Sequence, residues 1–356
     1  MATFKTERFK KLVSYAIKGA GCDKLVELSS MIGIRAEDGT LYLNTTDGTN
    51  YLSISDVCDC EALDVTVDAE LFSKLISKIT SETVELSVSD NTLVVKGNGK
   101  YTLELNSDEN GEPLSFPDTF PDGAKEIGTL QANDVVAINT AIKTSLDTVS
   151  GSTYTNYYFG DVVASTDKAM ASILHEKVFD DKFLLNREFV ELIALSGNDV
   201  VVSKSDDTLV AETVLVENCT ISVCTKLTDD VSAFNIDGIN KFLSLETKSF
   251  CRIRKAEILD LLDRLALFVS KFDEGAITLD FTKDGIEVSS ISTAGVEKIA
   301  FTESKDAEDI TIKVNIERLR NHLKSYSADV VDLYYGSKLC IKLVDGKLTQ
   351  VIALMQ

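Results

Sequence analysis

Several features that mark common protein classes are missing from this chain of 356 residues. No run of about 18 apolar residues occurs, so no membrane-spanning helix is expected. Charged residues lie near the start of the chain, but no apolar segment follows Lys10 and Lys11, so no secretory signal peptide is expected. We therefore expect a cytoplasmic protein without a membrane partner.

Cysteine and histidine are too scattered to predict a metal site. Among the seven cysteines, only Cys58 with Cys60 and Cys219 with Cys224 lie close together in the sequence. The two histidines are far apart, and no pair of CxxC motifs is present. We therefore expect reduced, buried structural thiols, with no metal and no cofactor.

No motif of a catalytic site is present. The chain has no glycine-rich phosphate loop, no GxSxG and no HExxH. Residues 106–111 (NSDENG) begin like a calcium-binding loop, but the twelfth position of that loop is Pro117 instead of glutamate. Carboxylates are plentiful, yet none forms a recognisable pair for acid–base catalysis. The sequence therefore predicts a protein that is not an enzyme.

The chain is strongly acidic, with 57 Asp and Glu against 36 Lys and Arg and a formal charge of −21. Such a balance repels nucleic acid and anionic membranes. A protein of this charge that binds DNA must gather its positive residues on one surface.

One pattern, a helix followed by a β-hairpin, occurs three times. The three helices are predicted over residues 70–79, 188–195 and 317–326. Each follows an Asp or Asn that suits a helix N-cap, namely Asp68, Asn186 and Asn315. Alternating strands and a polar turn come after each helix, as in ELSVSDNTLVV. A looser copy of the pattern precedes each one, with helices near residues 9–18, 135–146 and 255–270.

This repetition predicts three domains of about 120 residues each, an ordinary domain size. The only three prolines cluster in the first break, at Pro113, Pro117 and Pro121, and the second break is near LSLETKSF. We predict domains over residues 1–123, 124–249 and 250–356. Each holds two helices and several antiparallel strands, so the predicted fold class is α+β.

Basic residues concentrate on the predicted helices, whereas the strands and loops carry most of the acid. Lys74 and Lys78 are four residues apart and therefore lie on one helix face. Ordinary solvated helix faces would show the same pattern. Charge alone therefore leaves a DNA-binding surface and a solvated face both open.

Four stretches, taken in order, make the chain similar to the bacterial-type DNA sliding clamp, the beta subunit family of DNA polymerase III. They are the FP that closes the first repeat, ASTDKAMA in the second, FNIDGINKFL before the third, and the C-terminal VIALMQ. The family usually has Gly-His-Arg where this chain has Lys168-Ala169, and a proline in the tail where this chain has Leu354. These departures indicate a divergent member with altered partner preferences.

The resemblance implies three tandem clamp domains per chain and a head-to-tail homodimer that forms a ring around duplex DNA. Such a ring is a processivity factor: it binds DNA without sequence specificity, is placed by a clamp loader and tethers the replicative DNA polymerase. Twelve helices packed side by side on a circle would leave a hole of about 24 Å, but the six of one chain only about 7 Å. A duplex needs more than about 16 Å, so two chains are required.

The resemblance also implies three sets of site residues. Those facing DNA are Lys10, Lys11, Lys18, Lys24, Lys74, Lys78, Lys143, Arg187, Arg264, Arg320 and Lys324. Those at the dimer interface are Tyr101 and Leu103 on an edge strand, with Phe268 and Val269 of the other chain. Those of a hydrophobic pocket for partner peptides, between the second and third domains, are Phe159, Thr166, Leu243, Val351, Ile352, Leu354 and Met355.

Plainer interpretations stay open for these sets. Without the resemblance, the four interface residues fit an ordinary core, and VIALMQ fits a plain final strand. A repeat-built scaffold that binds protein partners without encircling DNA would share the fold and the pocket. Such a scaffold would have no reason to place Lys and Arg on the helix faces.

Overall fold

The computed structural model describes residues 2–21, 26–107, 114–216, 218–227, 230–291 and 294–356. It forms two compact units, each made of two stretches of chain. The first unit is Met1–Val136 with Glu188–Thr228, and the second is Ala137–Arg187 with Asp229–Gln356. None of the described helices is long and apolar enough to span a membrane.

Within the described residues, a module of one strand, one helix and three further strands occurs six times. Module 1 consists of β1 (Ala2–Lys5), α1 (Thr6–Ala16), β2 (Met31–Glu37), β3 (Thr40–Thr46) and β4 (Asn50–Val57). Module 2 consists of β5 (Leu63–Asp68), α2 (Ala69–Lys78), β6 (Thr83–Ser89), β7 (Thr92–Lys96) and β8 (Lys100–Glu104). Module 3 consists of β9 (Lys125–Leu130), α3 (Ala132–Thr140), β10 (Asn156–Phe159), β11 (Val163–Thr166) and β12 (Met170–Leu174).

The second half of the chain repeats this order, with two additions. Module 4 consists of β13 (Phe183–Asn186), α4 (Arg187–Ile193), β14 (Val200–Ser205), β15 (Thr208–Val216) and β16 (Cys219–Lys226). The helix α5 (Ile236–Leu243) then leads to module 5, which consists of β17 (Ser249–Arg254), α6 (Lys255–Leu265), β18 (Ala276–Phe281), β19 (Gly285–Ser290) and β20 (Val296–Ala300). After the short β21 (Glu303–Lys305), module 6 consists of β22 (Ile310–Asn315), α7 (Ile316–Ser325), β23 (Val330–Tyr335), β24 (Cys340–Asp345) and β25 (Leu348–Ala353).

The six predicted helices are confirmed, and their starts follow from local chemistry. Asp68 Oδ1 accepts a hydrogen bond from the backbone N–H of Leu71 at 2.6 Å, and Asn315 Oδ1 accepts from Arg318 N–H at 3.0 Å. Both side chains satisfy an N–H group of the first turn that has no partner within the helix. The helices α3 and α6 are shorter than predicted because the chain continues from each as a 3-10 turn, at Ile142–Ser145 and Ala266–Phe268.

The first unit contains two antiparallel sheets. One has eight strands in the order β5-β2-β3-β4-β16-β15-β14-β9, and the other has four in the order β1-β6-β7-β8. The helices α1 and α2 pack against each other, with the rings of Phe9 and Phe72 edge to face at 6.2 Å. Both rings are fully buried, so this contact belongs to the core between the helices and the strands.

The second unit is built in the same way. Its larger sheet has nine strands in the order β13-β10-β11-β12-β25-β24-β23-β17-β21, and its smaller sheet has the order β20-β19-β18-β22. The helices α6 and α7 pack against each other, and Phe281 stacks on Tyr335 at 3.9 Å between ring centroids. The predicted α+β class is confirmed in both units.

In each unit, the larger sheet joins strands from two distant modules. In the first unit β4 pairs with β16, from Asp56 opposite Cys219 to Asn50 opposite Thr225. In the second unit β12 pairs with β25, from Met170 opposite Ile352 to Leu174 opposite Leu348. We call these antiparallel pairings the joints of the two units.

Residues 116–124, which we call the strap, cross the outer face of the eight-stranded sheet. Phe116 packs onto β2 at Gly33, where an added Cβ atom would lie 2.3 Å from Phe116 Cβ. On β16, Cys224 Sγ donates to the carbonyl oxygen of Thr119 at 3.7 Å. Glycine at position 33 is therefore what allows the strap to lie against the sheet.

Four of the described cysteines, Cys219, Cys224, Cys251 and Cys340, are buried and free, as expected. Two others, Cys58 and Cys60, lie side by side after β4, with their Cα atoms 5.7 Å apart. For this pair the expectation of reduced thiols stays a prediction.

A network of buried polar side chains lies beside the joint of the second unit. Gln350 Nε2 on β25 donates to the carbonyl oxygen of Ala141 at 2.9 Å and to Ser172 Oγ at 3.1 Å. Ser145 Oγ lies 2.7 Å from Ser172 Oγ and 3.3 Å from His322 Nε2. Burial lowers the pKa of His322 to about 3.

Because the pKa of His322 is lowered in the folded chain, we predict that the folded protein loses stability in acid. In the unfolded chain a histidine binds a proton below about pH 6.5, whereas in the folded chain His322 stays neutral down to about pH 3. The stabilisation is therefore complete above about pH 6.5 and falls as the pH drops from there towards 3. At pH 5 the expected cost is about 2 kcal/mol of unfolding free energy, from 1.36 kcal/mol per pH unit.

The measurement is the unfolding free energy against pH, from urea denaturation, for the wild type and His322→Gln. We expect the variant to lose less stability between pH 7 and 5. The control is His175→Gln, because His175 is exposed. Equal pH slopes for the wild type and His322→Gln would contradict the prediction.

Candidate functional site

The helices α1 and α2 turn a cationic face to solvent. Lys11 and Lys18 are exposed on the side of α1 and its 3-10 extension that lies opposite the buried Phe9. Lys10 is less exposed and pairs with Glu7 at 3.4 Å. On α2, Lys74 pairs with Glu70 across one helical turn.

Lys78 is the last residue of α2 and is exposed. The predicted Lys24 lies outside the described residues. Lys11, Lys18, Lys74 and Lys78 together give this helix pair a set of exposed ammonium groups. Among the described residues, the one carboxylate that pairs with these four is Glu70, in the surface pair with Lys74, and such pairs contribute little.

The remaining predicted DNA-facing residues differ in how exposed their side chains are, and some are held by carboxylates. Arg187 is exposed at the first position of α4, whereas Lys143 is partly buried in the 3-10 turn after α3. Arg264 is held by Glu297 through two hydrogen bonds of 2.9 and 2.6 Å. A phosphate group would have to displace this carboxylate.

Arg320 is also committed to carboxylates. Its side chain is only 18% exposed and bonds to Glu317 at 2.6 Å and to Asp263. Lys324, in the last turn of α7, is exposed. The helix pair α6–α7 is therefore less cationic at its surface than α1–α2.

Each four-stranded sheet has two edge strands, β1 and β8 in the first unit and β20 and β22 in the second. Within the described residues, β1 and β22 each make an isolated bridge, Ala2 to Cys60 and Lys313 to Met355, whereas the strand at the other end of each sheet makes none. In the first unit this strand is β8, where Tyr101 is 40% exposed and Leu103 is buried. In the second unit it is β20, which lies beside the 3-10 turn that carries Phe268. Phe268 is 49% exposed, and Val269 is partly buried. Both edges therefore combine unpaired backbone groups with exposed aromatic rings.

A cavity of about 240 Å³ opens beside the joint of the second unit, between the turn from β11 to β12 and the helix α5. Thr166, Met170 and Ala171 form the sheet side, whereas Ile239 and Phe242 come from α5. The cavity is mainly apolar, and Lys168 is the charged residue at its edge. Such a cavity suits the burial of one or two apolar side chains.

Hydrogen bonds fix both walls of this cavity. Thr166 Oγ1 donates to the carbonyl oxygen of Met170 at 2.5 Å and accepts from Lys168 N–H at 3.0 Å. Lys342 Nζ donates to the carbonyl oxygens of Leu243 and Leu245, both at 2.6 Å, at the C-terminal end of α5. Burial lowers the pKa of the Lys342 amine.

Of the seven residues predicted for the pocket, Thr166 lines the cavity. Val351 and Ile352 are fully buried in β25 behind it, opposite Ala171 and Met170. Leu243 packs on the core below α5. The three others lie elsewhere: Phe159 stacks on Phe183, whereas Leu354 and Met355 follow the end of β25.

The sequence reasoning missed Tyr154, Met170, Ile239 and Phe242, which also line the cavity. The spacing of Ile239 and Phe242 in FNIDGINKFL, three residues apart on a helix, was the available signal. No comparable signal marks Tyr154, whose ring lies 5.3 Å from Lys168 Nζ.

Comparison by sequence gives no match: no protein-family model matches the chain, and no curated protein matches it. Comparison of structures gives matches over the full length. The chain is 15% identical to DNA polymerase III subunit beta from Borrelia burgdorferi, with a TM-score of 0.86, covering 100% of this chain and 99% of that one. It is 16% identical to a sliding clamp from Bartonella birtlesii bound to griselimycin, with a TM-score of 0.84 and the same coverage.

A third match is the DNA polymerase sliding clamp of Bacillus subtilis, at 15% identity and a TM-score of 0.82, covering 99% of this chain and 98% of that chain. Each likeness extends over all six modules, so the resemblance found in the sequence is confirmed in the fold. The chain has the fold of the bacterial sliding clamp, the beta subunit of DNA polymerase III.

Proposed function

We propose that this protein is a non-catalytic, cytoplasmic sliding clamp. Two copies, each of three tandem domains, form a closed ring that encircles duplex DNA without sequence specificity. The cavity beside α5 holds peptides of the replicative DNA polymerase and of the clamp loader. The observation that carries the proposal concerns the last strands of the modules. Two of them, β8 and β20, pair with no strand of another module within the described residues, and pairing β8 of one copy with β20 of another would repeat the joint already present in each unit.

Both joints follow one rule. The last strand of module 1 pairs with the last strand of module 4, and that of module 3 with that of module 6. The strands without such a partner are β8, the last of module 2, and β20, the last of module 5. Pairing β8 of one copy with β20 of another gives the order β22-β18-β19-β20-β8-β7-β6-β1. That order repeats the pattern of the larger sheets, so a second copy supplies the missing half of each incomplete one.

The core-facing residues of the two strands limit the register of the new joint. On β8, Tyr101 lies opposite the fully buried Val95, and Leu103 lies opposite the fully buried Leu93. On β20, Ile299 lies opposite the buried Ile286.

The existing joints are antiparallel, and each pairs its two strands over most of their length. An antiparallel pairing that uses all five residues of both β8 and β20 joins Lys100 to Ala300 and Glu104 to Val296. We propose this register, in which Tyr101 of one copy lies opposite Ile299 of the other, both on the core face.

This register gives Tyr101, which is 40% exposed in the single chain, an apolar partner. Its ring would pack beside Ile299 of the other copy, and burial of apolar surface stabilises such a joint by about 25 cal/mol per Å².

The register predicts a specific cross-link. Lys298 and Thr102 are exposed and lie opposite each other in this register, with Cα atoms about 5 Å apart, a separation that a disulfide spans. We expect Lys298→Cys combined with Thr102→Cys to give a covalent dimer under mild oxidation, measured by non-reducing electrophoresis.

The matched control combines Lys298→Cys with Lys100→Cys, two residues away from Thr102 on the same face of β8, and should link poorly. Each single variant should not link at all. Equal linking of both pairs, or none with either, would show that the proposed register is wrong.

The proposal also predicts which lysines contact DNA. Replacing Lys11, Lys18, Lys74 and Lys78 by Glu should lower retention on DNA about tenfold or more, because phosphate contacts dominate non-specific binding. Retention is measured by gel filtration with nicked circular DNA and a clamp loader.

The control replaces four exposed lysines away from these helices, Lys125, Lys177, Lys248 and Lys283, so that the net charge changes equally. We expect this control to keep most of the retention. A similar loss in both variants would mean that overall charge, and not this helix face, determines binding. No loss in the first variant would favour the scaffold that never encircles DNA.

A further inference from the structure

A second groove, in the first unit, has a lining that suggests a binding role. It has a volume of about 420 Å³ and lies between the strap and the outer face of the eight-stranded sheet. The sheet side includes Arg35, Tyr42, Ser53 and Glu212, and Phe116 of the strap forms part of the opposite wall. We call it the polar groove, because hydroxyl and charged side chains line most of it.

Arg35 is the unusual residue of the polar groove. Its guanidinium group lies over the ring of Tyr42, 4.7 Å from the centroid, which holds it in place. Its Nε atom is shielded from solvent and has no hydrogen-bond partner within the described part of the chain. No carboxylate among the described residues forms an ion pair with Arg35, although Asp64 is its cross-strand neighbour. A shielded donor of a charged group without a partner is costly, and an anionic group of a ligand would remove that cost.

The groove has its negative charge at the other end. Glu212 lies on β15, four strands from Arg35, and accepts a hydrogen bond from Ser222 Oγ at 3.1 Å. Asp118, on the strap, precedes the residue that contacts Cys224 on β16. With strands about 4.8 Å apart, Arg35 and Glu212 are about 20 Å apart, allowing for their different rows. An extended peptide of about six residues covers that distance.

The place of the groove in the fold supports a peptide ligand. It borders the β4–β16 joint, which corresponds to the β12–β25 joint beside the cavity of the second unit. Tyr51 of the groove corresponds to Ala171 of that cavity, since each lies opposite the last residue of the preceding strand, Thr46 and Thr166. A connecting segment forms one wall in both places, the strap here and α5 there. At this position the polar groove has the large ring of Tyr51, where the cavity has the small side chain of Ala171. The lining of the groove is polar, whereas that of the cavity is apolar.

We propose that the polar groove binds an extended segment of a partner protein, about six residues long, with an acidic side chain on Arg35 and a basic one near Glu212. The hydroxyl groups between them, such as those of Ser53 and Ser222, suit the backbone amides of such a segment. Recognition at this groove is independent of the cavity beside α5.

The test uses the full-length protein and two mixtures of hexapeptides with randomised inner residues. One mixture has Glu first and Lys last, and the other has the reverse order. Binding is followed by NMR through the side-chain Nε–Hε signal of Arg35 and by titration calorimetry. We expect one mixture to shift that signal, and Arg35→Gln to weaken its binding about tenfold or more, as for loss of a charged hydrogen bond.

Arg254→Gln is the matched control, because Arg254 is an exposed arginine of the second unit, 3.1 Å from Glu257. The affinity of Arg254→Gln for the peptide mixture should equal that of the wild type. The affinity of Arg35→Lys should lie between those of the wild type and Arg35→Gln. Thermal unfolding of each variant checks that Arg35→Gln is folded. If neither mixture binds, if Arg35→Gln binds as tightly as the wild type, or if mixtures with Gln at both ends bind equally well, the proposal is wrong.

Discussion

Backbone pairing between strands of different modules is the interaction on which the rest of the structure depends. The joints β4–β16 and β12–β25 bring together strands that are more than a hundred residues apart, at a cost in loop-closure entropy. Their hydrogen bonds satisfy backbone groups that would otherwise be buried without partners. The same requirement holds at β8 and β20, where the rows of N–H and C=O groups meet no strand within the described residues. An uncovered edge favours pairing with another chain, so the rule that builds each unit also predicts how two copies associate.

The described positive charge is concentrated on one helix pair, which fits the DNA contact proposed for this acidic protein. The chain carries a formal charge of −21, yet α1 and α2 expose Lys11, Lys18, Lys74 and Lys78. In the second unit the arginines of α6 and α7 are held by carboxylates, as in the paired hydrogen bonds from Arg264 to Glu297. The first unit therefore supplies most of the free positive charge. Contacts that are few and screened by salt would let a closed ring slide, because topology rather than affinity keeps it on the DNA.

The sequence predicted local structure well and the candidate site poorly, for physical reasons. The helix caps at Asp68 and Asn315 and the alternation of the hairpins depend on nearby residues, so the repeated modules could be found. The lining of the cavity depends on which distant strands pair. For that reason the sequence pointed to Thr166, which lines the cavity, but not to Ile239 and Phe242, which also line it. It also pointed to Val351, which is buried in β25 behind the cavity.

The central claim is that two copies form a closed ring around DNA, and threading tests it most directly. The protein is mixed with linear duplex DNA, both ends are then blocked with bound streptavidin, and the sample is moved to high salt, which screens the phosphate contacts. The account predicts that protein stays on the blocked DNA and leaves as soon as one end is freed by a restriction cut. Loss in high salt while both ends are blocked, or equal retention before and after the cut, would contradict it.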